Sequence, residues 1–331
     1  MDHFINIPID QTGVIPDPRL ASVVAEAIAP PFDFSDIFLY SHGWWTRPSD
    51  SMSSYTRFSV DFVRTLSTLP ATAIPLAPRS SLGIGLHWPS MLSENVHELI
   101  NLFEPLSFYQ MERRSDDIGF NAVFALLQIM YMVRQSSPNA PKFRLTLLGH
   151  SFGCRVVCRA LDHLYTEIMK SSTCENYRSF VLATSINLVL LQAAFDSSDL
   201  EDEARYGNLI NLPQLRILTT HSDLDLALKN LFPLAERINI LSMNAGSRAA
   251  IGYAGPSVVS CKDFAVTFFS LTPGFTPSQE LLLSPASRML VADLTDVHRV
   301  SDFPAGPLKG HHSDIFLPEI YKLIANFCFQ Q

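Results

Sequence analysis

The sequence predicts an α/β fold with a mostly parallel central sheet and helices on both of its faces. Apolar residues make up 47% of the 331 residues and charged residues only 17%, which is enough apolar material for a large core. Short apolar runs alternate along the chain with longer amphipathic segments, the order expected of a parallel sheet flanked by helices. A glycine-flanked serine at residues 149–153 separates one such run from the helical segment that follows it.

The predicted strands are short and mostly apolar throughout, as expected for strands that are buried on both faces. The run Ile37-Phe38-Leu39-Tyr40 is the clearest example, and another run is stopped by Pro89. We predict strands at residues 4–9, 37–40, 82–88, 144–148, 185–194, 215–220 and 288–293.

The predicted helices carry apolar residues at helical spacing, and prolines mark several of their ends. The first helix has a proline near its start and the Pro30-Pro31 pair after its end. In the helix after the serine, Cys154 and Cys158 belong to an apolar i, i+3, i+4, i+7 stripe, which we interpret as core packing. Residues 229–286 give mixed signals, so no elements are assigned there. We predict helices at 18–28, 55–69, 92–135 (with a break near Pro105 and a second helix at 118–134), 152–169 and 317–329.

Charge and cysteine content exclude several classes of protein. The chain carries 24 Lys and Arg against 32 Asp and Glu, a net charge of −8 without any basic run. Nucleic-acid binding is therefore not expected, because the phosphate backbone requires clustered positive charge. The five cysteines are few and odd in number, so we interpret them as reduced thiols of a cytosolic protein rather than a disulfide framework.

The sequence shows no membrane or secretion signal and no domain boundary. The N-terminus lacks a basic segment followed by an apolar one, so no secretory signal is visible. The longest apolar stretch, 123–133, is too short for a bilayer span, which needs about 20 residues. No Gly/Ser-rich linker divides the chain. We expect a single cytoplasmic domain over residues 1–331, without a transmembrane segment; its oligomeric state stays open.

The strongest chemical signal is the G-x-S-x-G sequence Gly149-His150-Ser151-Phe152-Gly153, placed between an apolar strand and an amphipathic helix. A serine at such a tight turn has a strained backbone, and its hydroxyl is lifted above the edge of the sheet. The two glycines allow neighbouring backbone to approach, and the helix directs N–H groups and its positive dipole end at the site. We predict that Ser151 is a nucleophile.

A second signal is the apolar strand that ends in His42-Gly43, about a hundred residues before the serine. This order resembles the α/β-hydrolase superfamily, over about residues 35–325. The resemblance implies an α/β-hydrolase fold in which the backbone N–H groups of Trp44 and Phe152 form the oxyanion hole. Only one clear strand precedes the strand that ends in His42-Gly43, so we expect the N-terminal part of the sheet to be reduced. The residues that we expect to border the substrate are His42, Gly43, Trp45 and His150.

The general base should be a histidine that follows the serine and the acid, since that is the order in the superfamily. His312 is our choice, because the Ser-Asp-Ile-Phe after it resembles the entry to the last helix. His311 is the alternative. His298, His221 and His163 also follow the serine, but they fit the superfamily order of serine, acid and histidine less well. A metal site at the histidine pair lacks convincing Cys or carboxylate partners, so we predict no metal and no cofactor.

The acid should follow a strand between the serine and the base. The strand at 215–220 runs into His221-Ser-Asp223-Leu-Asp225, and the Asp225 turn resembles the acid turn of several intracellular members of the superfamily. We choose Asp225. Asp223 and Asp196 remain alternatives, since either residue also follows a predicted strand.

These residues predict a serine hydrolase that cleaves carboxylic esters through an acyl-enzyme intermediate. The expected partner is a small-molecule or lipid-like ester, and the same machinery would serve thioesters, amides or peptides. Two stretches, 92–115 and 229–286, are candidates for cap or lid segments. The alternatives are a non-catalytic interaction protein with the same fold and a lipase-type effector that acts on phospholipids.

Overall fold

The structure is a computed structural model that describes the greater part of the chain. Trp45, the Pro30-Pro31 pair, residues 92–99 and much of the stretch 229–286 lie outside the described residues. The described residues are 3–29, 34–44, 46–72, 74, 80–91, 100–136, 143–170, 178, 184–201, 204–234, 249–257, 265–277, 287–306 and 310–329.

An eight-stranded, all-parallel sheet forms the centre of the described chain. Its strands are β1 (His3–Pro8), β2 (Asp36–Ser41), β3 (Ser81–His87), β4 (Arg144–His150), β5 (Ile186–Leu191), β6 (Leu215–His221), β7 (Ala265–Ser270) and β8 (Ser287–Asp293). Their order in the sheet is β1-β3-β2-β4-β5-β6-β8-β7. The α/β class and the seven predicted strands are confirmed. The eighth strand, β7, had no prediction because it lies within residues 229–286, where the signals were mixed, although its own sequence Ala-Val-Thr-Phe-Phe-Ser is largely apolar.

Helices pack on both faces of this sheet. Alternate residues of β2 enter two different cores, Ile37 and Leu39 in one, Phe38 and Tyr40 in the other. Both faces are therefore covered, which explains the continuous apolar runs. The first core includes residues of α1 (Arg19–Ile28), α3 (Ile100–Ile118), α4 (Phe124–Gln135) and α5 (Phe152–Lys170), and the second includes residues of α2 (Pro48–Thr68) and α8 (Pro318–Phe329). Two short helices, α6 (Ile251–Ala254) and α7 (Thr295–Arg299), are also present among the described residues.

Two helix predictions need correction. The predicted break at Pro105 is wrong, because α3 continues through this proline while packing against α5. A proline removes a single backbone N–H, and tertiary packing outweighs that loss here. The irregularity lies instead in the π-helical turn Gly119–Val123, which joins α3 to α4. Helix α2 begins at Pro48, whereas its predicted start was residue 55. The prediction started too late because the first turns of the helix are serine-rich and carry little apolar periodicity.

The helical segment from Phe108 to Val133 is long and apolar enough, by length and composition, to cross a membrane. This segment is longer than the apolar run 123–133 considered above. However, 44% of its most apolar 18-residue stretch is buried inside the protein, and a buried core helix can have the same length and composition. Near its start, Glu112 and Asp116 lie 3.0 Å and 2.8 Å from the guanidinium of Arg155 on α5. Length and composition therefore do not establish a membrane span, and this part of the stretch predicted as a cap packs on α5.

Candidate active site

Ser151 occupies the tight turn between β4 and α5. Its φ angle is 55°, a left-handed conformation that non-glycine residues rarely adopt. The turn requires glycine on either side: a Cβ on Gly149 would overlap the backbone of Cys154, and one on Gly153 would overlap the carbonyl oxygen of Ser41 on β2. The backbone strain that the G-x-S-x-G sequence predicts is therefore present, and it directs the serine toward the carboxyl ends of the strands.

A continuous hydrogen-bonded chain links Ser151 to a histidine and an aspartate. The Ser151 Oγ lies 2.8 Å from Nε2 of His312, and Nδ1 of His312 lies 2.7 Å from Oδ2 of Asp225. The serine follows β4, the aspartate follows β6, and the histidine lies in the loop before α8. Parallel strands end at the same edge of a sheet, which is why residues so distant in sequence meet here.

Asp225 is held in place by several donors. It is fully buried. Its Oδ2 accepts hydrogen bonds from His312 Nδ1 and, at 3.0 Å, from the side-chain amide of Gln192. Its Oδ1 accepts the backbone N–H of Leu228 at 2.9 Å. These donors offset the desolvation of a buried carboxylate and fix the oxygen that faces the imidazole.

The other two acid candidates lie away from this chain of hydrogen bonds. Asp223 is exposed, and its backbone N–H donates to Thr295 Oγ1. Asp196 accepts hydrogen bonds from the backbone N–H and the hydroxyl of Ser198 in a local turn. Of the three candidates, Asp225 is the one that contacts His312.

The alternative histidines have other partners. The Nδ1 of His311 lies 3.2 Å from the carboxylate of Asp314, and its ring stacks on His298 with centroids 5.4 Å apart. The fully buried His298 uses both ring nitrogens, against Ser222 Oγ and the carbonyl oxygen of Asp314. Of the two histidines in the predicted pair, His312 is the one that contacts the serine.

The loop that carries His312 is docked onto its neighbours through its backbone. The N–H of His311 donates to the carbonyl of Leu224, the residue before Asp225. The Nε2–H of His150 donates to the carbonyl of His312 at 2.8 Å. Burial, together with the nearby His312 ring, lowers the pKa of His150 to about 3, so this donor stays neutral. The ring of His150 therefore supports the loop that carries His312, and the expectation that His150 borders the substrate stays a prediction.

Backbone from two segments borders the serine hydroxyl. A Cβ on Gly43 would lie 2.8 Å from the Cβ of Ser151, so the segment of Gly43 and Trp44 passes directly against the serine. Phe152 is the first residue of α5, and its N–H has no acceptor within the helix. The Trp44 ring packs edge-on against Phe152 and Phe108, with centroids 6.2 Å and 5.8 Å away. Both predicted oxyanion residues thus lie beside the serine.

His42 does not present a free ring nitrogen to a substrate. Its Nδ1–H donates to the carbonyl of Gly43 at 2.8 Å, and its Nε2 accepts the backbone N–H of Trp88. The ring stacks on the Trp88 indole at 5.0 Å and is 3% exposed. The described contacts of the ring hold the Gly43 turn, and the expectation that His42 borders the substrate stays a prediction. The prediction for Trp45 lies outside the described residues.

Sequence reasoning missed Gln192, which contacts Asp225 directly. The strand prediction extended to residue 194, but β5 ends at Leu191, and Gln192 turns out of the sheet with a φ of 45°. The available signal was a single polar residue within the apolar run 188–195.

Among the described residues, no group of three or more His, Cys, Asp or Glu side chains is arranged to hold a metal ion. Comparisons of the chain with models of protein families, with curated proteins and with solved structures found no match.

Proposed function

We propose that this protein is a serine hydrolase of the α/β-hydrolase superfamily that cleaves carboxylic esters. The observation that carries the proposal is the chain of hydrogen bonds from Ser151 through His312 to Asp225, at 2.8 Å and 2.7 Å. A serine hydroxyl is a weak nucleophile on its own, and this arrangement supplies both a base and an acid that orients the base.

Each residue has a defined task in the reaction. Nε2 of His312 takes the proton from Ser151 as the serine oxygen attacks the ester carbonyl. The Nδ1–H of His312 continues to donate its hydrogen bond to Asp225, which stabilises the imidazolium. The N–H groups of Phe152 and Trp44 bind the oxyanion. The imidazolium then gives its proton to the leaving alcohol. Water attacks the acyl-enzyme with His312 again as the base, which releases the acid and restores Ser151.

The order of the strands supports membership of the superfamily. β4, which precedes the nucleophile, lies between β2, which precedes His42-Gly43, and β5. Serine, aspartate and histidine follow one another in the order Ser151, Asp225, His312. The sheet has a single described strand, β1, before β2, in line with the expected reduction of its N-terminal part.

The surroundings of the serine favour an ester with an apolar acyl group. Ser151 is 3% exposed, so its hydroxyl has little contact with bulk water. The rings of Trp44, Phe108 and Phe152 form an apolar cluster beside the proposed oxyanion hole, with the two phenylalanine centroids 4.6 Å apart. A charged acyl group would lose hydration there without gaining a partner from these rings.

The test is covalent labelling with a fluorophosphonate probe, followed by hydrolysis of p-nitrophenyl esters of increasing chain length. We expect the wild type to be labelled and Ser151→Ala to be unlabelled and inactive. Ser51→Ala is the matched control, because Ser51 Oγ also lies 2.6 Å from a histidine, Nδ1 of His87, but the other ring nitrogen of that histidine faces the amide oxygen of Asn6 and not a carboxylate. This control should label like the wild type. A folded wild type that neither labels nor cleaves any ester would refute the proposal.

A further inference from the structure

The side-chain amide of Gln192 connects the acid to the loop of the base. Its Nε2 lies 3.0 Å from Oδ2 of Asp225 and 3.3 Å from the carbonyl oxygen of His311. An amide NH2 group has two hydrogens, and here one is directed at each acceptor. The same Oδ2 accepts the Nδ1–H of His312. A single group therefore touches the carboxylate and the residue before the histidine.

The backbone of Gln192 is fixed so that the side chain points this way. Ser151 and Gln192 are the two non-glycine residues with positive φ in the described part of the chain. The Gln192 N–H donates to Oγ1 of Thr220 at 3.0 Å, and Thr220 lies on β6, the strand that leads to Asp225. A left-handed conformation at a glutamine is unfavourable, and it persists only where its surroundings impose it.

The amide oxygen of Gln192 indicates which end of the side chain matters. Gln192 is fully buried, and its Oε1 has no hydrogen-bond partner in the described structure. Leaving a buried acceptor unpaired opposes folding, and an apolar side chain of similar length would avoid that cost. The NH2 end, which makes both contacts, thus accounts for an amide at this position.

We propose that Gln192 is a positioning residue that sets the orientation of the Asp225 carboxylate relative to His312; this inference rests on the proposed function. Without the amide, the backbone N–H of Leu228 still holds Oδ1, but the one described donor left to Oδ2 is the His312 ring that the carboxylate has to orient. The carboxylate then spends less time aligned with Nδ1 of His312. The chemical step slows, while substrate binding at the serine is unaffected.

The first measurement compares Gln192→Met with Asn187→Leu by steady-state kinetics. Asn187 is a matched control: it is a fully buried amide near the start of β5, and its Oδ1 also lacks a partner among the described residues. We expect Gln192→Met to lower kcat by about 10- to 100-fold with KM unchanged, since small misplacements of catalytic groups have effects of this size. Asn187→Leu should keep both constants.

The second measurement does not depend on turnover. The Nδ1 proton of His312 should give a low-field NMR resonance in the wild type, assigned by its loss in His312→Asn. Gln192→Met should lose or broaden this resonance through faster exchange with water, and Asn187→Leu should retain it.

The two measurements separate failure of this inference from failure of the proposed function. An active wild type in which Gln192→Met keeps both kcat and the resonance overturns the positioning role alone. Loss of the resonance in Asn187→Leu as well would also overturn it, because the effect would then be structural. An inactive wild type whose resonance depends on Gln192 refutes the hydrolase and supports the positioning role.

Discussion

Acidification should destabilise the fold through His42, a buried histidine that is held neutral. The ring donates from Nδ1 to the Gly43 carbonyl and accepts the Trp88 N–H at Nε2. A proton on Nε2 would face that N–H and break the hydrogen bond. Burial of the ring is the main cause that lowers the pKa of His42 to about 4 from the ordinary value of 6.5.

The sign and the size of the effect follow from this depressed pKa. Between pH 6.5 and pH 4 the unfolded chain binds a proton at His42 that the folded chain does not bind. The contribution to the free energy of unfolding is therefore fully present above pH 6.5 and is lost as the pH falls toward 4. The shift corresponds to about 3 kcal/mol, a large part of the stability of a typical domain.

The assay is urea denaturation at a series of pH values from 7 to 4.5. The free energy of unfolding of His42→Gln should fall less steeply than that of the wild type, by a total of about 2 kcal/mol over this range. A variant of the exposed His3, His3→Gln, is the control and should follow the wild type. Parallel curves for His42→Gln and the wild type would refute the argument.

Three further substitutions test other parts of the structure. Asp225→Asn should lower ester turnover by about 10⁴-fold, because an asparagine cannot support the imidazolium, whereas Asp223→Asn should have little effect; equal losses would contradict the assignment. Gly153→Ala should destabilise the fold by more than about 3 kcal/mol in urea denaturation, since the new Cβ overlaps the Ser41 carbonyl, and a wild-type midpoint would contradict this packing. Arg155→Met should cost about 1–3 kcal/mol in the same assay, because Glu112 and Asp116 lose their buried partner and keep the more exposed Arg205, and a wild-type midpoint would contradict this role of Arg155.

The strands and the serine turn could be predicted because their causes are local. A strand buried on both faces must be apolar along its length, so runs such as 37–40 identify themselves. The turn at Gly149–Gly153 requires small residues at fixed spacing from the serine, and this requirement is visible within five positions. The edge strand β7 escaped prediction although its sequence is largely apolar, because the residues around it in the stretch 229–286 gave mixed signals.

The choice among neighbouring candidates required the tertiary structure. His311 and His312 are adjacent in sequence and point to different partners, Asp314 and Ser151. What separates them is the docking of their loop on the Leu224 carbonyl, a contact between segments far apart in the chain. Gln192 depends on a left-handed backbone that Thr220 on the next strand helps to hold. Sequence alone thus determined which residue types were available at the sheet edge. The direction in which each side chain points was decided by backbone contacts between distant segments, which local patterns do not encode.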